Sequence, residues 1–87
     1  VPDTFIEEVA DHAMTLILAS WRRLVVQDRM VRNGEWAKAR PMLYQFPRLM
    51  GMTLGFISFG HVARAVAKRA APFGFQMLAY DPYIEEL

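Results

Sequence analysis

Two apolar runs that flank a glycine turn and a helical stretch constrain this chain more than any other feature. Thr53-Leu54-Gly55-Phe56-Ile57-Ser58 reads as a short buried strand and Phe59-Gly60-His61 as a turn. Val62 to Ala71 reads as a helix ending near Pro72 and Gly74, and Gln76 to Tyr80 as a second buried strand. Strand, helix and strand within ~30 residues make a βαβ unit, and the crossover helix forces the two strands to run parallel. The expected class is therefore α/β, with the unit opening a doubly wound parallel sheet.

The turn carries chemistry. Ser58-Phe59-Gly60-His61-Val62-Ala63 stands against G-x-G-x-x-G/A, the pattern that lets a backbone approach a pyrophosphate at a helix N-terminus. Gly60 keeps the position that must be bare for the phosphates to come close, and Ala63 is a permitted small residue where helix packs on strand. Ser58 departs, replacing the first glycine. Asp81 follows Gly60 by 21 residues, at the end of the second strand. There a carboxylate accepts hydrogen bonds from the adenosine ribose hydroxyls and repels a 2′-phosphate, so NAD is expected in preference to NADP. In the plainer reading Asp81-Pro82 only starts a turn; its spacing from Gly60 and Ala63 favours the nucleotide.

Upstream, Thr4 and Glu7 form a capping-box pair, no Pro or Gly interrupts from there to Arg32, and Asn33-Gly34 supplies a stop. The expectation is one long helix of ~40 Å. Val9, Ala13, Leu16, Ile17, Trp21 and Leu24 keep helical spacing, while Met14, Leu18 and Val25 spread apolar surface onto further faces. A helix apolar nearly all round needs cover nearly all round, so self-association through it is expected. Glu35 to Arg48, with Pro41 and Pro47, reads as an irregular connection. The expected organisation is a connecting and dimerising helix over 1–34, a linker over 35–52 and part of a nucleotide-binding domain over 53–87.

Composition removes other classes. Cysteine is absent, which excludes disulfides, thiolate metal sites and a cysteine nucleophile and fits a reducing, cytoplasmic setting. A net charge of +1 gives no global attraction for nucleic acid or an anionic membrane. The longest apolar stretch, Ala13 to Ser20, is far short of the ~20 residues of a membrane span. Acidic Asp3, Glu7 and Glu8 stand where a secretory signal carries positive charge. His12 has only Glu7, Glu8 and Asp11 nearby and reads as a solvent-facing histidine, so no metal site is expected. Arg22, Arg29 and Arg32 read as a solvated or subunit-bridging helix face. No G-x-S-x-G elbow, Walker lysine or H-E-x-x-H is present.

Several segments together resemble one family. They are Val9-Ala10-Asp11-His12-Ala13, Arg29-Met30-Val31-Arg32-Asn33-Gly34-Glu35-Trp36, Met52-Thr53-Leu54-Gly55-Phe56-Ile57 and Tyr80-Asp81-Pro82-Tyr83. In order and without large gaps, this wording resembles the D-isomer-specific 2-hydroxyacid dehydrogenases, among which are phosphoglycerate dehydrogenase and the C-terminal-binding-protein corepressors. The resemblance implies a Rossmann fold binding NAD, with Ser58, Gly60, His61 and Val62 at the pyrophosphate and Asp81 at the ribose. It also implies a homodimer, and for the parent protein NAD-linked conversion between a 2-keto and a D-2-hydroxy acid. The family's catalytic arginine, acid and histidine have no match here, so no catalytic residue is expected in these 87 residues. The chain, which begins with Val1 rather than Met, is expected to be an inactive fragment of a larger domain. The rival expectation is a non-enzymatic, NAD-sensing corepressor-like relative, to which Phe73-Gly74-Phe75 and Asp81-Pro82-Tyr83 are similar in wording.

Overall fold

Residues 5–81 are described by the structure, a computed structural model of the chain. Thr4 of the capping pair and the Pro82-Tyr83 wording lie outside the described residues. The elements run α1 (Ile6–Trp21), α2 (Leu24–Arg32), α3 (Trp36–Met42), β1 (Thr53–Ile57), α4 (His61–Ala70), a single 3₁₀ turn (Ala71–Phe73) and β2 (Gln76–Tyr80). The chain divides into two compact units, and the division falls inside α1. One holds the residues up to Met14 together with those from Arg48 onward; the other is Thr15–Pro47.

The first unit contains the βαβ element read from the sequence. β1 and β2 pair in parallel, Thr53 opposite Gln76 through Ile57 opposite Tyr80. The ladder is extended at both ends, by the Gln76 N–H to the Met52 carbonyl at 2.8 Å and the Ser58 N–H to the Tyr80 carbonyl at 2.6 Å. α4 ends where expected, because the 3₁₀ turn tightens it and Gly74 takes a left-handed conformation with φ 85°, available to glycine at little cost. The Gly51 N–H then donates to the Gly74 carbonyl at 2.8 Å. Ala10 and Met14 of α1 and Val66 and Ala70 of α4 are buried. Arg69 of α4 reaches Glu7 and Asp11 of α1, so the first turns of α1 belong with the βαβ element.

The strands do not have the burial their sequences predict. β1 alternates between exposed and half-buried positions, β2 is almost wholly exposed, and Ile57 and Leu78 keep 92% and 68% of their surface. A parallel sheet becomes dry only when helices cover both faces and further strands flank it. Two strands and one crossover helix leave most of that surface open.

In the second unit the single long helix is replaced by two. Arg22 still donates to the Leu18 carbonyl at 3.1 Å, but Arg23 donates to Ser20 at 3.1 Å and turns left-handed, φ 51° and ψ 46°. α2 starts from there, with the Gln27 N–H returning to the Arg23 carbonyl at 3.0 Å and the Gln27 side-chain amide donating to the Arg22 carbonyl. A left-handed residue with a side chain costs about 1–2 kcal/mol. Contacts from later in the chain offset it. The Arg22 and Arg23 guanidinium groups lie 5.3 Å and 5.7 Å from the Phe46 ring centre, and Trp21 Nε1 donates to the Pro47 carbonyl at 2.9 Å.

The connection over 35–52 also departs from expectation, since it contains α3. The Lys38 and Ala39 N–H groups both reach the Glu35 carbonyl. Pro41 comes late enough in this seven-residue helix to remove only one hydrogen bond. Beyond it, Leu43, Tyr44 and Gln45 each donate three residues back, a 3₁₀-like ending. Ala39 is buried in this unit.

Candidate functional site

The turn between β1 and α4 and the last residue of the β2 edge form one site within the first unit. Parallel pairing brings the C-terminal ends of both strands to the same edge, where open α/β sheets bind their ligands. Ser58 leaves β1 with φ 72°, the left-handed conformation that the nucleotide-binding pattern assigns to glycine. Gly60 precedes α4 in an extended conformation, φ −83° and ψ −161°, and no side chain caps the helix. The helix N-terminus thus keeps backbone donors and a partial positive charge for an anion.

Gly60 does not owe its identity to the fold of the chain. Its φ is one any residue adopts, and a β-carbon there meets nothing within 4 Å. The bare position leaves open space at the N-terminus of α4. His61 is exposed and Val62 half-buried, and both stand in the first turn of α4.

Asp81 faces this turn. Its Oδ2 accepts a hydrogen bond from the Phe59 N–H at 2.7 Å and one from the Ser58 Oγ at 3.4 Å. All five residues singled out from the sequence, Ser58, Gly60, His61, Val62 and Asp81, therefore belong to one edge of the sheet. Sequence reasoning treated Asp81 and the glycine turn as separate contacts and missed that the carboxylate fastens the turn. Phe59 was also missed. Its ring meets Phe56 edge-on at 5.4 Å and carries the Arg64 guanidinium 4.8 Å from its centre, so the turn is braced through the Phe59 ring as well. The aromatic and basic residues at 56, 59 and 64 were the available signal.

Among the described residues no group of three or more His, Asp or Glu side chains could hold a metal ion, and no helix is long and apolar enough to cross a membrane.

Comparison with known proteins agrees with the geometry. The model of the family described as D-isomer specific 2-hydroxyacid dehydrogenase, NAD binding domain, matches residues 14–87. A glyoxylate reductase of Thermococcus gammatolerans is 40% identical over 84 residues, covering 92% of this chain and 25% of that protein. The TT0316 protein of Thermus thermophilus superposes with a TM-score of 0.86 at 35% identity, over 99% of this chain and 28% of that one. An NADPH-dependent glyoxylate/hydroxypyruvate reductase of Sinorhizobium meliloti, solved with NADP and malonate, superposes with a TM-score of 0.78 at 31% identity, over 99% of this chain and 27% of that one. The chain spans about a quarter of the length of the curated relatives it matches.

Proposed function

Because the chain belongs to the D-isomer specific 2-hydroxyacid dehydrogenases, as part of their NAD-binding domain, we propose that it grips NAD through the edge formed by the β1–α4 turn and Asp81. The observation that carries this is the open, uncapped helix N-terminus at Gly60 with a carboxylate fastened beside it. Gly60 and the backbone N–H groups of His61 and Val62 hold the pyrophosphate, Ser58 shapes the turn beside it, and Asp81 holds the adenosine ribose. NAD, when bound, supplies the hydride acceptor. These residues bind and orient it and take no part in the proton or hydride transfer itself.

NAD is the family's cofactor, yet a solved relative of the same fold is named NADPH-dependent, so the fold alone leaves the choice open. Asp81 supports NAD, since a carboxylate at the ribose accepts hydrogen bonds from a free 2′-hydroxyl and repels a 2′-phosphate. For the whole protein the proposed activity is reversible reduction of a small 2-keto acid to a D-2-hydroxy acid, in the cytoplasm. Reductase-named relatives favour this over a non-enzymatic corepressor-like role. A homodimer is part of the same reading, built on segment 1–34, where Leu16, Leu24 and Val25 are among the exposed apolar residues, with 35–52 as the connection and 53–87 as the cofactor-binding part.

Isothermal titration of the protein as its gene encodes it, with NAD and with NADP, tests the reading. Micromolar binding of NAD, lost in Gly60→Val, is expected. Equal binding of NAD by wild type and Gly60→Val would place the cofactor elsewhere.

A further inference from the structure

Ser58 is the one residue of the turn that departs from the nucleotide-binding pattern, and its backbone stays where the pattern needs it. Its φ of 72° is strained for any residue with a side chain. Two contacts hold it there, one from the backbone and one from the side chain. The Ser58 N–H donates to the Tyr80 carbonyl at 2.6 Å, the rung of the ladder directly before Asp81. The Ser58 Oγ then reaches Asp81 Oδ2 at 3.4 Å, the same oxygen that takes the Phe59 N–H at 2.7 Å.

A glycine at position 58 would make the backbone contacts without strain and would offer Asp81 nothing further. The hydroxyl is what serine adds, and its neighbour is the carboxylate proposed to read the ribose. We propose that Ser58 is a specificity-determining positioning residue: its hydroxyl, with the Phe59 N–H, commits Oδ2 of Asp81 to the turn and so fixes the plane in which the carboxylate meets the nucleotide. A carboxylate whose Oδ2 is so held has less freedom to swing away from a bulky, charged 2′-phosphate, so the hydroxyl sharpens the preference for NAD over NADP. This rests on the assignment of Asp81 to the ribose.

Three variants of the protein as its gene encodes it separate the possibilities. Ser58→Ala removes the hydroxyl and keeps the backbone strain, Ser58→Gly removes both, and Asp81→Ala removes the carboxylate. The readouts are the dissociation constants for NAD and NADP by calorimetry, and the melting temperature without nucleotide. Both Ser58 variants are expected to lower the NAD-to-NADP affinity ratio by about twofold to threefold, the low end for one hydrogen bond, as a 3.4 Å contact warrants. Only Ser58→Gly is expected to raise the melting temperature, since it alone relieves the left-handed strain. A purely structural serine predicts the reverse on the first count: Ser58→Gly would change both affinities together and leave the ratio at its wild-type value. If Asp81→Ala collapses the ratio while the Ser58 variants leave it unchanged, the Ser58 proposal fails and the ribose assignment stands. If Asp81→Ala leaves the ratio unchanged, the ribose assignment fails and takes the proposal with it.

Discussion

Met50 occupies the space that any side chain on Gly74 would need: a β-carbon on Gly74 would lie 2.9 Å from Met50 Cγ and 3.3 Å from its Cα and Cβ. Gly74 also has φ 85°, so a substitution meets backbone strain and a collision at once. Gly74→Ala is expected to destabilise the protein by about 2–4 kcal/mol, combining the left-handed cost with overpacking. Urea unfolding gives the number, and a loss below about 0.5 kcal/mol would mean that the 70–76 segment rearranges freely.

Arg69 ties α4 to the first turns of α1. Its Nε donates to Asp11 Oδ1 at 2.7 Å, its Nη2 to Glu7, and its Nη1 to the Ala65 carbonyl at 3.0 Å. The hydrogen bonds to Glu7, then to Asp11, raise its pKa above the ordinary arginine value. A raised pKa stabilises the fold fully below the unfolded value and is lost only as pH climbs through the folded one. The melting-temperature loss in Arg69→Ala should therefore stay constant from neutral to about pH 10. It should shrink as salt is added, because the carboxylate partners are largely exposed. Arg69→Lys should recover only part of it, since an ammonium cannot serve both carboxylates with one planar fork. A loss that vanished before pH 10 would contradict the arrangement.

These two contacts show where the sequence was readable. Gly74 announced the end of a helix, and the runs at Thr53 and Gln76 announced strands, because local backbone preference is strong there even though the strands stay largely exposed. The break at Arg22-Arg23 carried no local mark. It depends on Phe46 and Pro47, more than twenty residues later, and no periodicity argument sees a cation stacked on a ring from another segment. α3 was hidden for the opposite reason: Pro41 is a strong local signal that the structure tolerates near a helix end. At the site, the glycine pattern and the spacing to Asp81 located the edge. The hydrogen bonds from Ser58 and Phe59 to Asp81 depend on strand register, which the sequence leaves unspecified by itself.

The apolar face of α2 yields a prediction about assembly. Leu24, Val25 and Val31 are all exposed, Val25 at 66%, a density that marks interfaces when contiguous. Val25→Glu is expected to weaken self-association on the order of tenfold or more, because a charge placed in an apolar contact is left without solvent. Light scattering over a concentration series measures it. Wild-type protein that stays monomeric at every concentration would remove the homodimer from the reading.

The last prediction concerns how Asp81 and Gly60 share the cofactor. Read separately, Asp81 serves the ribose and Gly60 the pyrophosphate, and Asp81→Ala should spare NADP. The hydrogen bond from the Phe59 N–H to Asp81 Oδ2 changes that expectation, because removing the carboxylate also leaves a turn N–H without its acceptor and loosens the phosphate cradle. Asp81→Ala is therefore expected to weaken NAD by about 1.5–3 kcal/mol, the scale of charge-assisted hydrogen bonds. NADP should weaken by less, because loss of the turn's fastening is opposed by loss of a repulsion. Asp81→Asn, whose amide oxygen can still accept from Phe59, should keep the turn and lose the charge, so it should favour NADP more than Asp81→Ala does. Gly60→Val should weaken both cofactors equally, since its side chain enters the open space at Gly60 proposed to take the pyrophosphate that both share. It should do so with little change in melting temperature, as that space is empty of the chain's own atoms. Calorimetric titration of the three variants with both nucleotides decides between coupled and independent contacts. If Asp81→Asn and Asp81→Ala gave the same NADP affinity, the turn would not depend on Asp81, and the two ends of the βαβ element would act independently.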